Sequence, residues 1–425
     1  MLRFAPSPTG DMHIGNLRVA VFNYIVAKQR GEELIVRIED TDKEKNIEGK
    51  DQEILDLLAL FNISYSQVIY QSQNVRFHSA MALQLIHEKK AFSCFCSTNW
   101  LEKKREEAKE QKTAYNYDDA CRNLPAELVI DNTNPFTIRI ARPDSPIVIH
   151  DKIKGDVSFE PNAVDSFLIM NQDKTPTYNF SCAIDDMLSD ISIIIRGEEH
   201  MDNTPKQEHV REALNYNKKI EYAHLPAILN DSDDASNVKW LLQEGYLPEA
   251  ILNYLISIGN TPPKEIFTLE EAVEWFDLSS VSKNPARFDI DALRAINKEH
   301  LKSLDAKELS RYVGFADADI GNLARIYLEE TCTTKELKAK IAPIFALRNI
   351  SDDLAEQTQM MAQTIKNAPY FDAYEDFKNY VMKESGVQGE EFLKVLRILL
   401  TNAEHGPDIA EIYKYLKNYI GEIVK

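Results

Sequence analysis

A histidine and a glycine stand two positions apart near the start of the chain, in the stretch His13-Ile14-Gly15-Asn16. A loop leads into a predicted helix there, and a helix N-terminus offers free N–H groups and a positive dipole end that suit a phosphate. Gly15 has no side chain, so a nucleotide can lie against the backbone, and His13 can donate a hydrogen bond to a phosphate oxygen. By chance alone, 9 His and 14 Gly in 425 residues give His-x-Gly about 0.3 times. The tripeptide by itself therefore indicates only a turn glycine and a surface histidine.

The elements around this stretch predict an α/β domain. Residues 2–5 are a strand candidate, a turn rich in Pro and Gly follows, and residues 34–38 are a second, buried strand candidate. Between the strands, apolar residues from Leu17 to Ile25 recur at helical spacing. Strand, helix and strand of this length are typical of a parallel βαβ unit.

The region from about residue 90 to 190 mixes a charged helix, short strands and loops, which predicts an insertion into this domain. The apolar residues 191–195 then predict a return to buried strand. A helix start follows, with Thr204 as the predicted N-cap, Pro205 at the first helical position and Gln207 closing a capping box.

From about residue 300 onward the pattern is helical throughout. Thr333 with Glu336 and Asp408 with Glu411 have capping-box spacing, and apolar residues between Phe392 and Leu399 recur every three or four positions. An all-helical C-terminal region is predicted, which pattern alone does not distinguish from a helical bundle without a function of its own.

The bulk composition excludes little. The net charge of −19 argues against a nucleic-acid partner, because phosphate binding needs Lys and Arg, yet a local basic face can exist on an acidic protein. The sequence has neither an apolar run long enough to span a membrane nor a signal-peptide stretch at its start. Five cysteines in 425 residues do not make a disulfide framework, so a reducing cytoplasm is the expected compartment.

Blocks along nearly the whole chain resemble the glutamyl-tRNA synthetases, in the order that this family has them. The opening stretch from Arg3 to Arg18 is similar to the family's first signature, a class I variant of His-Ile-Gly-His with Asn16 in the fourth place. The other blocks are residues 37–42, 175–180 with Asp185 and Asp186, 196–207, 244–250, 276–278 and 396–407. The resemblance implies a Rossmann-like α/β catalytic domain with an inserted acceptor-binding domain, followed by an α-helical anticodon-binding region.

The resemblance predicts a glutamate-binding site whose residues complement the charges of glutamate. Glutamate carries two carboxylates and one ammonium, so its site needs two cations and one anion. Arg3 and Arg196 lie near predicted strand ends, where open α/β sheets bind ligands, and Glu39 can take the ammonium. Each arginine taken singly could instead form an ion pair at a sheet end. The predicted substrate contacts are Arg3, Ala5, Ser7, Glu39, Tyr178 and Arg196.

The same resemblance implies a two-step reaction that uses ATP with Mg²⁺. The α-carboxylate of glutamate attacks the α-phosphate of ATP, and a terminal ribose hydroxyl of tRNA then takes the glutamyl group. The protein mainly positions groups and stabilises charge. The predicted catalytic residues are His13, Gly15 and Asn16. The predicted ATP contacts are Pro8, Thr9, His13, Gly15, Gly197, Glu199 and Leu225.

This chain departs from the family at one ATP-binding motif. Class I synthetases carry a second signature, Lys-Met-Ser-Lys-Ser, and in this family a lysine-rich loop stands about 30 residues after the Arg-Gly-Glu block at Arg196. Residues 225–239 match its flanks, but roughly seven residues are missing between Ser232 and Asp233. Either the native chain has the loop, or the loop is deleted and activity falls by orders of magnitude.

A metal site is predicted in the insertion. Cys94, Cys96, Tyr117 and Cys121 offer three thiolates and a phenolate to a tetrahedral Zn²⁺, and some members of the family carry zinc with this layout. The alternative is a set of reduced thiols without metal. Cys182 and Cys332 are predicted to be plain thiols.

The resemblance also predicts the domain bounds and partners. The catalytic domain comprises residues 1–88 and 191–215, the insertion 89–190, a stem-contact domain 216–304 and the anticodon-binding region 305–425. The predicted partner is tRNA(Glu), with tRNA(Gln) as the alternative acceptor, and a monomer without membrane contact is expected. The alternative of another class is a non-catalytic tRNA-binding paralogue, motivated by the missing lysine loop.

Overall fold

In a computed structural model of the protein, the described residues are 1–113, 115–230, 237–348 and 354–424. They divide into two compact units. Unit 1 comprises Met1–Val238 with Leu255–Phe288, and unit 2 comprises Lys239–Tyr254 with Asp289–Lys425. Among these residues no helix is both long and apolar enough to cross a bilayer.

Unit 1 begins with the predicted βαβ unit. Strands β1 (Leu2–Phe4), β2 (Leu34–Ile38) and β3 (Gln67–Tyr70) form a parallel sheet in that order, and helix α1 (Ile14–Arg30) connects the first two. Both Leu17 and Ile25 are fully buried on α1, as the helical spacing predicts. The prediction of a parallel unit is therefore confirmed.

A second sheet in unit 1 carries strands from two distant parts of the sequence. Strand β9 (Ile193–Gly197) is parallel to β10 (Glu221–Leu225), and β10 is parallel to β6 (Ile147–Asp151). Strand β7 (Gly155–Phe159) pairs antiparallel with β6 and completes the order β7-β6-β10-β9. The buried strand predicted at 191–195 is confirmed, beginning two residues later than expected. The region predicted as an insertion thus supplies β6 and β7 to the same sheet as β9.

The rest of that region forms a third, antiparallel sheet. Strands β4 (Ala91–Cys94), β5 (Thr137–Ile140) and β8 (Leu168–Met170) lie in that order. Two short strands, β11 (Ile228–Leu229) and β12 (Ala286–Arg287), pair parallel elsewhere in unit 1. The remaining helices of unit 1 are α2 (Lys50–Leu60), α3 (Val75–His87), α4 (Thr98–Glu110), α5 (Ala126–Ile130), α6 (Pro161–Val164), α7 (Tyr178–Leu188), α8 (Thr204–Ala213) and α11 (Leu269–Trp275).

The predicted cap of α8 is wrong. Asn203 is the N-cap residue of this helix, and the side chains of Thr204 and Gln207 accept hydrogen bonds from Arg196 instead. A buried guanidinium that lacked acceptors would cost several kcal/mol, whereas a helix without a side-chain cap loses about 1 kcal/mol, so Thr204 and Gln207 bond to Arg196.

Unit 2 is helical, as predicted. Helix α15 begins with the predicted capping box of Thr333 and Glu336, and Asp408 caps α19 by accepting from two backbone N–H groups. Both Phe392 and Leu399 are buried on α18. The bounds are α12 (Ile290–Ser303), α13 (Ala306–Tyr312), α14 (Ala318–Tyr327), α15 (Thr334–Ile341), α16 (Ala355–Lys366), α17 (Tyr374–Ser385), α18 (Gly389–Thr401), α19 (Ile409–Leu416) and α20 (Ile420–Ile423). Helices α9 (Val238–Gln243) and α10 (Pro248–Ser257) each include residues of both units.

Candidate active site

A pocket of 220 Å³ opens at the C-terminal ends of β1, β2 and β9, where the sequence predicted a substrate site. The predicted residues that line it are Arg3, Ala5, Ser7, Thr9, Asn16, Glu39, Tyr178, Arg196, Gly197 and Glu199. The predicted residues outside its lining are Pro8, His13, Gly15 and Leu225. The fold therefore brings the predicted glutamate contacts together around one cavity.

His13 and Gly15 lie at the start of α1, beside this pocket's Asn16. His13 is the N-cap residue, and its Nδ1 accepts a hydrogen bond from the Gly15 N–H at 3.0 Å. Because Nδ1 accepts, the neutral ring carries its proton on Nε2, which is the form that can donate to a phosphate oxygen. A Cβ on Gly15 would lie 3.3 Å from His13 Nδ1, so a larger residue would crowd the ring.

Arg3 and Glu39 are joined by a chain of buried charges. Asp186 Oδ1 accepts from Arg3 Nε at 3.1 Å and from Arg37 Nη1 at 2.6 Å, while Arg37 Nη2 donates to Glu39 Oε1 at 3.3 Å. Burial alone would raise the pKa of Asp186, but Arg3 and Arg37 outweigh it and hold that pKa well below its usual range. Asp186 therefore stays a carboxylate and, through Arg37, fixes the spacing between Arg3 and Glu39, the predicted cation and anion of the substrate site.

Cys182 adds a thiol to this chain. Its Sγ lies 3.2 Å from Glu39 Oε1 and donates to it. Burial and the neighbouring Glu39 raise the pKa of the Cys182 thiol well above its usual value. The prediction of a plain thiol is accurate for its protonation, although this thiol contacts a site residue.

Arg196 is held by three neutral acceptors. Its Nε donates to His224 Nε2 at 3.1 Å, Nη1 to Gln207 Oε1 at 2.9 Å and Nη2 to Thr204 Oγ1 at 2.6 Å. These bonds use three of the five N–H groups of a guanidinium, and the side chain lines the pocket. Burial lowers the pKa of Arg196.

Gly197 is the last residue of β9, and Glu199 follows two positions later. A Cβ on Gly197 would lie 2.1 Å from a carboxylate oxygen of Glu199, so a larger residue there would displace the Glu199 side chain. Leu225 is buried at the end of β10 and pairs with Gly197. The C=O of Pro8 accepts from Ile47 N–H at 2.9 Å.

Comparison with known proteins identifies the family. Residues 1–295 match the family described as tRNA synthetases class I (E and Q), catalytic domain. The chain belongs to the class I tRNA synthetases. It is 69% identical to glutamate–tRNA ligase 2 of Sulfurimonas denitrificans and 52% identical to glutamate–tRNA ligase 1 of Nitratiruptor, in each case over 100% of both chains.

Solved structures agree with this family. A glutamate tRNA ligase from Elizabethkingia meningosepticum in complex with its amino acid matches 100% of the chain and 98% of its own length, with a TM-score of 0.83 and 24% identity. The glutamate-tRNA synthetase from Elizabethkingia anophelis matches over the same shares with a TM-score of 0.80 and 25% identity. The fold of a class I synthetase catalytic domain followed by a helical region, predicted from the sequence, is confirmed.

The synthetase also brings its predicted metal ligands together. The Sγ atoms of Cys94, Cys96 and Cys121 all lie within 4.8 Å of one another, and Cys96 and Cys121 are 3.6 Å apart. Tyr117 Oη lies 3.4 Å from Cys94 Sγ and 3.3 Å from Cys96 Sγ. Zn–S bonds of about 2.3 Å in a tetrahedron place two sulfurs about 3.8 Å apart, so three thiols and a phenol at these spacings fit zinc.

Sequence reasoning missed the side chains that hold the site arginines. These are Arg37, Asp186, Asp151, His224, Thr204 and Gln207. Four of them, Arg37, Asp186, Thr204 and Gln207, stand in blocks that resemble the family, which was the one available signal. The other two, Asp151 and His224, lie outside these blocks and 73 positions apart, and spacing does not reveal such a pair.

Proposed function

We propose that this chain ligates L-glutamate to tRNA(Glu) through glutamyl-adenylate, with ATP as the energy source. The observation that carries this proposal is the convergence of Arg3, Arg196 and Glu39 on one pocket of 220 Å³. Relatives that match the whole chain and are named glutamate–tRNA ligases support it.

The pocket suits the three charges of glutamate. The guanidinium groups of Arg3 and Arg196 bind its two carboxylates, and Glu39 binds the ammonium. Asp186 and Arg37 keep Arg3 and Glu39 at a fixed separation, so glutamate meets charges that are already positioned. Such preorganisation lowers the free energy of the transition state because no reorganisation is needed during the reaction.

The chemistry requires two displacements. A carboxylate oxygen of glutamate attacks the α-phosphorus of ATP, the bond to the bridging oxygen breaks, and pyrophosphate leaves. A ribose hydroxyl of the tRNA then attacks the carbonyl carbon of the adenylate, AMP leaves with the bonding electrons, and the hydroxyl proton is released to solvent. His13 donates a hydrogen bond to phosphate oxygens where charge develops, and Mg²⁺ enters bound to the ATP phosphates.

The rate of the first step depends on whether the native chain has the lysine-rich loop. Its predicted place between Ser232 and Asp233 lies outside the described residues. The alignments with three relatives extend over 432 positions, seven more than the 425 residues of the chain, which supports the count of roughly seven missing residues. An intact mass of the purified protein at 48.6 kDa would show that the native chain has no such loop.

ATP-dependent transfer of labelled glutamate onto purified tRNA(Glu) and tRNA(Gln) tests the function. Charging of tRNA(Glu) alone supports the proposal, and charging of tRNA(Gln) assigns the enzyme to indirect glutamine synthesis on tRNA. A protein that binds tRNA and charges neither acceptor contradicts the proposal. A matched variant, with the corresponding loop of the Sulfurimonas denitrificans relative inserted after Ser232, separates loss of the loop from lack of the activity.

We also propose that Cys94, Cys96, Tyr117 and Cys121 hold a structural Zn²⁺. These four side chains would hold the ion and so tie the end of β4 and the turn after it to the segment around Tyr117, and bound zinc would favour the deprotonated ligands. The guanidinium of Arg139 lies 4.1 Å from the centre of the Tyr117 ring, a cation–π contact that holds the ring beside the thiols. Elemental analysis of protein never exposed to chelator should find one zinc per chain.

The domain roles extend this proposal to tRNA. The insertion at 89–190 takes the acceptor end, residues 216–304 contact the stem, and the helices of 305–425 bind the anticodon, whose bases are splayed and stacked as in most single-stranded RNA recognition. A cytoplasmic monomer is expected, and size-exclusion chromatography with light scattering tests the monomer.

A further inference from the structure

A buried aspartate–histidine pair stands behind Arg196. His224 Nδ1 lies 2.7 Å from Asp151 Oδ2, and the backbone N–H of His224 donates to the same oxygen at 3.0 Å. Both side chains are almost fully buried. Asp151 Oδ1 in turn accepts from the backbone N–H groups of Ile153 and Lys154, so this carboxylate is fully engaged.

The bonds dictate the tautomer of His224. A guanidinium has donors and no acceptors, so the Arg196 Nε–H at 3.1 Å requires a bare, accepting Nε2 on His224. The ring proton must then be on Nδ1, where the Asp151 carboxylate accepts it. The hydroxyl of Thr204, 2.9 Å from the same Nε2, also bonds to Arg196 Nη2.

We propose that Asp151 and His224 are positioning residues that hold the Arg196 guanidinium for a substrate carboxylate, and that protonation of His224 releases it. A proton on Nε2 would face the Arg196 N–H at hydrogen-bond distance. The hydrogen bond between Nε2 and the guanidinium would then be replaced by repulsion between two cations. The inference rests on the proposed function, since it takes Arg196 to bind glutamate. It also means that Asp151 on β6, a strand within the predicted insertion, helps to position Arg196 on β9.

Charged, titratable and polar groups from several elements surround His224. They are Asp151 on β6, Arg3 on β1, Arg196 on β9, Glu198 and His200 in the turn after β9, Thr204 and Gln207 on α8 and the stacked ring of Tyr222 on β10. Burial lowers the pKa of His224 most, Asp151 raises it, and Arg196 and Arg3 lower it further. The neutral form that Arg196 requires is therefore present at pH 7, and it is lost as the pH falls through this lowered pKa.

A second buried aspartate–histidine pair provides a matched control. His78 Nε2 lies 2.8 Å from Asp185 Oδ1, and both side chains are fully buried in unit 1. The amides of Gln71 and Asn74 are the other donors to Asp185, so this pair acts on neutral side chains and not on Arg3 or Arg196. Replacing His78 should cost a similar amount of stability without altering glutamate binding.

Glutamate binding measured by titration calorimetry between pH 8.0 and 5.5 tests this positioning role of Asp151 and His224. In the wild type, Kd should rise severalfold across this range but by less than tenfold, because a tenfold rise at pH 5.5 would need the ordinary imidazole pKa of about 6.5, from which that of His224 is lowered. His224→Gln retains an acceptor toward Arg196 and has no proton to gain, so its Kd should vary much less with pH. Asp151→Asn removes the partner that fixes the tautomer and should raise Kd about tenfold at pH 8.0, or about 1.4 kcal/mol. His78→Gln should follow the wild-type profile.

Nitrogen NMR of the histidine rings in the wild-type protein gives an independent readout. The resonances lost in His224→Gln should show Nδ1 protonated and Nε2 bare at pH 7.5. An Nε2-protonated or doubly protonated ring overturns the proposal, whether or not the variants fold, and so does a His224→Gln profile that matches the wild type. If the wild-type protein has this tautomer but charges no tRNA, the proposed function is contradicted, whereas the positioning of Arg196 by Asp151 and His224 is not.

Discussion

Replacing Asp186 tests the architecture of the glutamate pocket most directly. Its Oδ1 accepts from both Arg3 and Arg37, and the three side chains are 0–4% exposed. Asp186→Asn keeps the shape of the side chain and removes its charge, which leaves two buried guanidinium groups without their shared carboxylate. Breaking a buried ion pair costs about 3–5 kcal/mol, so the free energy of unfolding should fall by about that amount.

The same change should weaken glutamate binding. Arg3, and through Arg37 also Glu39, lose the group that fixes their separation. A displacement of about 1 Å in a positioning group costs about 10²-fold, which corresponds to about 2.7 kcal/mol. We expect the KM for glutamate to rise by about this factor while the KM for ATP stays unchanged.

Asp185→Asn is the matched control for this experiment. Asp185 is as buried as Asp186, but its partners are His78, Gln71 and Asn74. Urea unfolding and steady-state charging kinetics should show lower stability in both variants and a raised glutamate KM only in Asp186→Asn. A wild-type glutamate KM in Asp186→Asn, at comparable loss of stability, would refute the reasoning.

The acid dependence of stability gives a second check on Asp186. Its pKa lies below the value of about 3.9 that an unfolded chain has. Its contribution is therefore complete above pH 4 and is lost as the pH falls through the folded-state pKa. The stability difference between the wild type and Asp186→Asn should stay constant from pH 7 to about pH 4 and shrink only below it.

Three further predictions concern other parts of the molecule. Cys94→Ser should reduce zinc to well under one per chain in elemental analysis, whereas Cys332→Ser, outside the thiol cluster, should leave it unchanged. Gly321→Ala should lower the free energy of unfolding of unit 2 by about 1–3 kcal/mol, because its Cβ would lie 1.6 Å from Ala306 O, and Gly421→Ala, with open space around it, should not. If the intact mass shows that the lysine loop is deleted, inserting the relative's loop after Ser232 should raise the rate of ATP–pyrophosphate exchange by about 10²–10³-fold, and an unchanged rate would contradict the role given to the loop.

Much of the fold followed from the sequence because its signals are local. The spacing from Leu17 to Ile25 and the apolar residues at 191–195 predict a buried helix and a buried strand, and both are present. The capping box of Thr333 and Glu336 forms as predicted, since both partners lie within one turn. Periods of two and 3.6 residues and short-range caps depend on neighbours in the chain, so they are visible without tertiary structure.

The polar framework of the site was not visible in the same way. The predicted pocket residues came from the resemblance, and spacing alone left His13 and Gly15 as an ordinary turn. Thr204 shows why, since its local sequence predicts a helix cap while a buried arginine at position 196 takes its hydroxyl. Likewise, nothing near His224 in the sequence indicates that Asp151, 73 positions away, is its partner.

The two arginines proposed to bind glutamate, Arg3 and Arg196, are held in opposite ways, and this difference bears on how the pocket would recognise glutamate. Arg3 donates to the carboxylate of Asp186, so part of its charge is balanced before any substrate enters. The bonds that the described residues make to Arg196 all go to neutral groups, those of His224, Gln207 and Thr204. A buried cation without a paired anion is costly, and a substrate carboxylate that reaches it removes this cost on binding. Under the proposed function, Arg196 is therefore the cation whose charge the protein leaves for the substrate, and its neutral partners, above all the uncharged form of His224, are a condition of that arrangement.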